Sequence, residues 1–357
     1  MPKAAPRLGT RSGEYAQIIE VVRLYYEQDS TQSEISEALG IPQASVSRLL
    51  QRAADEGIVR HVISPPTFLR LQTEVLARIR SSGVRDVRVV PVGGDGSKNA
   101  VNLGVVGAEY LWEAMSQYED TVSVCMACGD TLLGVIANFA QYMEQNREAL
   151  KELRKKTITL YPLNLFWPPV LEFGMDEVPS TNVYPSALVV YLAMQLNSLG
   201  CKVVAHAPQS PLDFYREFDG MDSAGRTAQV QKYSAFLTGA KDADIFLLGI
   251  GTGLDDPRYG RVLSELNSDH ELDNEAVAGE INYQPFRVDG EFIDLERLIA
   301  VRGEELVELA GTDKHVISVA GGGKKVPAMT ALLNRDILPF NVLITDESIA
   351  GRILDGP

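Results

Sequence analysis

The chain has 357 residues, too long for one small module and about right for two or three domains at roughly 150 residues each. Hydrophobic residues make up 45% and charged residues 23%, which excludes an intrinsically disordered chain. The formal charge is −15, from 33 Lys+Arg against 48 Asp+Glu, and on its face argues against a nucleic-acid binder, because duplex DNA rewards basic surfaces. Residues 1–13 carry Lys3, Arg7 and Arg11 with no apolar stretch behind them. They read as a disordered arm and not as a signal peptide. No run approaches 18 uninterrupted apolar residues, so no membrane span is expected. Three cysteines in so long a chain suit reduced thiols in a cytoplasmic protein.

Residues 14–64 read as compact helices followed by a short hairpin. Ile18, Val22 and Tyr25 fall on one face of a first helix. Thr31-Gln32-Ser33-Glu34 has the form of a capping box, in which Thr31 caps a second helix and Glu34 reaches back to it. Ile35, Ala38 and Leu39 supply the apolar face of that helix, and Gly40 ends it. Pro42 then starts a third helix, with Val46, Leu49 and Leu50 turned inward. The β-rich run Ile58–Ile63 follows as the wing of a winged helix would.

Ser64-Pro65-Pro66 marks a boundary. Phe68, Leu71, Val75 and Ile79 trace a helical stripe within 65–83, either a connecting helix or the first helix of the next domain. From 84 to 357, short apolar runs alternate with helical segments. The strands are expected at Val87–Val92, Val122–Ala127, Thr157–Leu163, Lys202–His206, Asp244–Gly249, His315–Ala320 and Asn341–Thr345. That alternation implies an α/β domain: a doubly wound, Rossmann-like parallel sheet with ligands at the strand carboxyl ends. Cys125 and Cys128 form a C-x-x-C. It sits in a buried run with no second pair or His cluster, so core packing is expected and no metal or cofactor. The segment Phe166–Ser180 reads as a loop-like insertion.

Two helices joined by a glycine turn, with short polar and arginine side chains early on the second, form a helix-turn-helix pattern. Gln43, Ala44, Ser45, Ser47, Arg48 and Arg52 point outward. A helix in the major groove lets Arg fork onto guanine and Gln onto adenine. Arg48 is the first candidate for a base edge and Gln43 and Ser47 come next, with Arg52 and Arg60 on phosphate. Thr31 and Gln32, at the start of the second helix, complete the DNA-contacting set. The alternative is a plain three-helix bundle with a solvated third helix. Charge distribution favours DNA: residues 1–64 hold 7 basic against 8 acidic residues, and the remainder 26 against 40. The acidity belongs to the second domain.

Residues 31–50, TQSEISEALGIPQASVSRLL, with Glu56-Gly-Ile-Val, resemble the N-terminal domain of SorC-family bacterial transcriptional regulators. Leu248-Gly-Ile-Gly-Thr252, Val319-Ala-Gly-Gly322 with Lys325, and Asn341-Val-Leu-Ile-Thr-Asp-Glu347 agree with the sugar-binding domain of that family. The resemblance implies a winged helix-turn-helix joined to an effector domain with the fold of sugar-phosphate isomerases and deaminases. It also implies a tetramer, a dimer of dimers. Three glycine-rich junctions would build the pocket, since helix N-termini and close backbone approach suit oxyanions. By the resemblance, Gly129, Asp130 and Thr131 line the site, with Gly251, Thr252, Gly321 and Gly322. Glu280 accepts hydroxyl protons and Lys325 holds an anionic group.

Two departures stand out. Asp130 occupies a place where a carboxylate repels phosphate but accepts bonds from sugar hydroxyls, which suggests an unphosphorylated sugar or polyol. Tyr161–Pro169 replaces a glycine pair usual in the family; Tyr161, Asn164 and Trp167 could line a pocket there, although core or lid packing is expected of Trp167. The expected function is a ligand-responsive regulator with operator DNA and a sugar, polyol or sugar phosphate as partners. The alternative is a sugar-phosphate isomerase or deaminase with an appended helical domain. An enzyme needs a positioned acid or base, and His61, His206, His270 and His315 all fall outside the glycine-rich junctions.

Overall fold

The computed structural model describes residues 8–28, 30–56, 58–59, 66–92, 96–165, 184–207, 221–231, 233–266, 277–295 and 297–356. The chain divides into two compact units, Met1–Ile63 and Ser64–Pro357.

The first unit holds α1 (Leu8–Tyr26), α2 (Gln32–Leu39) and α3 (Gln43–Asp55). Helix α1 begins at Leu8, inside the segment expected to be an unstructured arm; Met1–Arg7 lie outside the described residues. Val21, Ile35, Val46 and Leu50 form the core, flanked by Val22, Leu24, Tyr25, Leu39, Ile41 and Leu49. Ala38, expected on the inner face of α2, is exposed. The capping box forms as the sequence requires. Glu34 N–H donates to Thr31 Oγ1 at 3.3 Å, and Thr31 N–H donates to Glu34 Oε2 at 2.7 Å. Gly40 turns the chain at φ 62°, a left-handed conformation costly to any residue with a Cβ. Ser36 Oγ donates to Ile41 O at 2.6 Å and fixes the turn into α3. Ile58 and Val59 follow as bends; Arg60–Ile63, the rest of the expected wing, lie outside the described residues.

The second unit is built on a seven-stranded parallel sheet: β1 (Asp86–Val90), β2 (Thr121–Met126), β3 (Thr157–Pro162), β4 (Lys202–Ala205), β5 (Ile245–Leu248), β8 (His315–Val319) and β9 (Val342–Asp346). Its spatial order is β1-β9-β8-β5-β2-β3-β4. The strands match the seven expected apolar runs, most plainly at the centre of the sheet, where β5, β8 and β9 are buried almost throughout, and least at the edge, where β4 is largely exposed. Helices α5 (Gly96–Ser116), α6 (Asp130–Gln145), the short α7 (Arg147–Leu153) and α8 (Pro185–Ser198) lie in the connections that run from β1 towards β4. Right-handed crossovers place them on one face, and the return connections put later helices on the other. Helix α4 (Pro66–Ile79) buries Phe68, Val75 and Ile79 and packs on β1 and on the last helix, Glu347–Asp355. It is the first helix of this unit and not a free connector.

One element has no counterpart in the sequence reading. Strands β6 (Val277–Ile281) and β7 (Gln284–Arg287) form an antiparallel hairpin apart from the main sheet. Asn282 and Tyr283 turn it at φ 56° and 67°, positions usually filled by Asn-Gly. Side-chain bonds hold this strained turn: Asn282 Nδ2 donates to Leu163 O at 3.2 Å and to Val301 O at 3.1 Å, and Asn164 Nδ2 donates to Asn282 Oδ1 at 2.6 Å. Asn164 is therefore a buried structural residue and not a pocket lining.

Candidate functional site

Strands β2 and β5 are neighbours, paired from Val124–Ile245 to Met126–Leu247. After β2 the chain moves towards β3 and β4; after β5 it moves towards β8 and β9. The loops leaving their carboxyl ends therefore part, and the crevice between them is the place where open α/β sheets hold ligands. Residues 128–131 leave β2 and residues 249–252 leave β5, so two of the three glycine-rich junctions meet there.

The strained hairpin brings Glu280 to this crevice. Gly251 and Glu280 bond to each other as an isolated antiparallel bridge, with Gly251 N–H on Glu280 O at 2.9 Å. A Cβ on Gly251 would lie 2.0 Å from Glu280 Oε1, so glycine is required for the carboxyl to occupy its place. Tyr283 N–H donates to Glu280 Oε2 at 2.7 Å. Burial raises the Glu280 pKa to about 7; the Tyr283 N–H and the Lys325 charge pull it down, and Asp256 pushes it up. Lys325, at the N-terminus of the helix Val326–Leu332, thus shares the site with Glu280.

Cys128 belongs to the same cluster. Its Sγ lies 3.0 Å from the Tyr283 hydroxyl, in a hydrogen bond. Burial pushes the thiol up to about 12, and the Glu280 and Asp130 charges act in the same direction. It is a neutral thiol, not a nucleophile. Tyr259, whose hydroxyl donates to Tyr283 O at 3.3 Å, packs behind the turn. Nothing in the local sequence links Cys128 to Tyr259 and Tyr283; the hairpin turn, where Tyr283 meets both, unites them. Gly129 and Asp130 are exposed at the mouth and Thr131 is half-buried. Thr252 opens onto a cleft of about 490 Å³ lined by Leu254, Asp255, Val288, Val326 and Thr330. Among the described residues no group of His, Cys, Asp or Glu is arranged to hold a metal ion.

The third junction is tied elsewhere. Gly322 N–H donates to Asp346 Oδ2 at 2.5 Å, and the other carboxylate oxygen of Asp346 caps the last helix at Ile349 N–H. Asn341 donates to Ala310 O and Lys314 O and accepts from Val316 N–H, while Thr345 Oγ1 donates to Ala320 O. The polar residues of 341–347 therefore join β9 to β8. Tyr161 stacks on His206 with ring centroids 4.5 Å apart; Trp167 and the rest of 166–183 lie outside the described residues.

On the first unit, Gln43, Ala44, Ser47 and Arg48 are exposed on α3, with Ser45 and Arg52 half-buried. Arg48 bends along its own helix, bonding Ser45 Oγ at 3.0 Å and Ala44 O at 3.3 Å. Arg52 pairs with Glu56 at 2.6 Å and lies 5.7 Å from the Tyr15 ring centroid, so its charge is partly spent within the unit. Thr31 uses its hydroxyl in the cap, Gln32 is half-buried, and Arg60 lies outside the described residues.

Residues 222–355 match the family model "Putative sugar-binding domain", and residues 19–56 match "Sigma-70, region 4", a helix-turn-helix model. The Transcriptional regulator LsrR of Enterobacter sp. (strain 638) is 24% identical over 348 residues, covering 94% of this chain and 92% of its own. The Deoxyribonucleoside regulator of Bacillus subtilis (strain 168) is 24% identical over 340 residues, covering 94% and 96%. The chain is similar to SorC-family transcriptional regulators along nearly its whole length.

The fold agrees. The full-length Sorbitol Operon Regulator SorC of Klebsiella pneumoniae superposes with a TM-score of 0.60 at 21% identity, over 95% of this chain and 98% of that one. These relatives are transcriptional regulators and not enzymes, in line with the regulator and not with the isomerase or deaminase. The chain thus carries a helix-turn-helix region and a match to a putative sugar-binding domain, which imply operator DNA and a sugar effector as partners. No helix among the described residues is long and apolar enough to cross a membrane.

Proposed function

We propose that this SorC-family regulator reads its operator with α3 and is switched by an unphosphorylated sugar or polyol held at the β2–β5 crevice. Residues 14–64 form the reading head and the chain that follows, with α4 as its first helix, forms the effector body. Arg48, Gln43 and Ser47 address base edges; Arg52, Arg60, Thr31 and Gln32 address the backbone. Ligand contacts come from Asp130, Thr131, Thr252, Glu280 and Lys325, with Gly129 giving close backbone approach, Gly251 leaving room for the Glu280 carboxyl, and Gly321 and Gly322 held on Asp346 behind the site. The regulator works in the cytoplasm as a homo-oligomer, a tetramer built as a dimer of dimers. The effector biases an equilibrium between two arrangements of the bodies and so changes the spacing of the heads.

The observation that carries this reading is the carboxyl of Glu280, held by Tyr283 N–H with Gly251 cleared of a side chain in front of it. Two acids at one mouth, Glu280 and Asp130, suit a ligand rich in hydroxyl donors and oppose a phosphate dianion. A thermal-shift series with hexitols, pentoses, hexoses and their phosphates tests it. A ligand at 100 times its Kd stabilises by about 2.7 kcal/mol. The largest shift is expected from an unphosphorylated compound; tighter binding by its phosphate ester overturns the assignment.

A further inference from the structure

Helix α8 is apolar on two faces. Leu188, Val189, Leu192 and Leu196 are buried towards the sheet, as a surface helix requires. On the opposite side, Ala187, Val190, Tyr191 and Met194 form a second stripe, spaced i, i+3, i+4, i+7, and all four are exposed. Met194 is 68% exposed, Val190 42% and Tyr191 40%. No Asp, Glu, Lys, Arg or His occurs between Pro185 and Ser198. Beside it, β4 is the edge strand of the sheet. A helix of this composition is normally enclosed on both sides.

We infer that the outer stripe of α8 is the contact between two copies of this chain, packed antiparallel across a two-fold axis that passes between Val190 and Tyr191. The inference rests on the homo-oligomer proposed above and names its interface. Charge selects the occupant. The body carries 26 basic against 40 acidic residues, so a second copy approaching most of its surface meets like charge. The stripe is uncharged, and two such faces meet without repulsion. Its pattern is also self-complementary. About that axis Val190 lies opposite Tyr191 of the partner subunit, and Ala187 lies opposite Met194 of the partner subunit. The most exposed side chain, Met194, thus faces the smallest, Ala187, which suits the self-complementarity of an isologous interface. A helix-turn-helix head reads half-sites in pairs, so a pairing surface on the body has a use.

Sedimentation of the full chain at a fixed micromolar concentration tests the inference. The unsubstituted protein is expected to be oligomeric, and Met194→Glu to lower the mass at least twofold with the melting temperature of the dilute protein unchanged. Adding Ala187→Lys to Met194→Glu is expected to restore the mass, because the two introduced charges face each other across the axis. An oligomer whose mass is untouched by Met194→Glu overturns the interface while leaving the homo-oligomer standing; a monomeric unsubstituted chain overturns both. A fall in melting temperature in the dilute protein shows that the stripe is covered within the chain, and failure of the second substitution to restore the mass excludes a symmetric copy. Either result also overturns the inference.

Discussion

Glu280 is a carboxyl whose protonation the surrounding residues place near neutrality, and the sign of its effect follows from linkage. Unfolded, it titrates near its ordinary value of 4.5; folded, it titrates at about 7. Between those values the folded state holds the extra proton, so stability falls as pH rises from about 4.5 to 7 and is level above. Denaturant unfolding across pH 4–8 should show this step, and Glu280→Gln should remove it. Hydroxyl recognition needs the ionised form, so effector affinity should rise through about pH 7 in the parent protein and not in Glu280→Gln. Gly251 supplies a second test at the same atom. With a methyl group 2.0 Å from Oε1, Gly251→Ala must displace the carboxyl. The expected outcome is loss of the ligand-induced thermal shift while the helical circular dichroism signal is retained.

The elements differ in how plainly the sequence announces them. Helices α2 and α3 carry their own punctuation: Thr31 and Glu34 at one end, Gly40 and Pro42 at the turn. These are short-range rules that do not depend on the rest of the fold. The central strands are legible for a similar reason, being apolar and buried through most of their length. The β6–β7 hairpin is not, because its turn residues, Asn282 and Tyr283, are held at positive φ by partners more than a hundred positions away, Leu163, Asn164 and Cys128. Glu280 is therefore reachable only through family resemblance, and the phenol partner of Cys128 is invisible in sequence. At this scale Thr31→Ala should cost about 1 kcal/mol in the unfolding of the head, read in urea by helical circular dichroism. Arg48→Ala should weaken operator binding by about 1–3 kcal/mol while leaving the ligand-induced thermal shift intact. Retained sequence-specific affinity would show that α3 does not read bases.

At the scale of the whole molecule, charge and function separate by unit. The head is near neutral and the body strongly acidic, so the net −15 misleads as a statement about DNA and informs as a statement about the body. On the proposed reading affinity comes from paired heads and a few arginines, while the acidic bodies oppose non-specific adsorption to the duplex. Coupling between units is the central claim, and it needs only a ligand whose affinity differs between two arrangements. The most direct test is fluorescence anisotropy of the full chain on an operator duplex selected from random DNA, with and without a saturating sugar or polyol from the thermal-shift series. The expected result is a change in operator Kd of at least fivefold, absent in Gly251→Ala. An operator Kd that does not move, at ligand concentrations that saturate the body, would contradict the account.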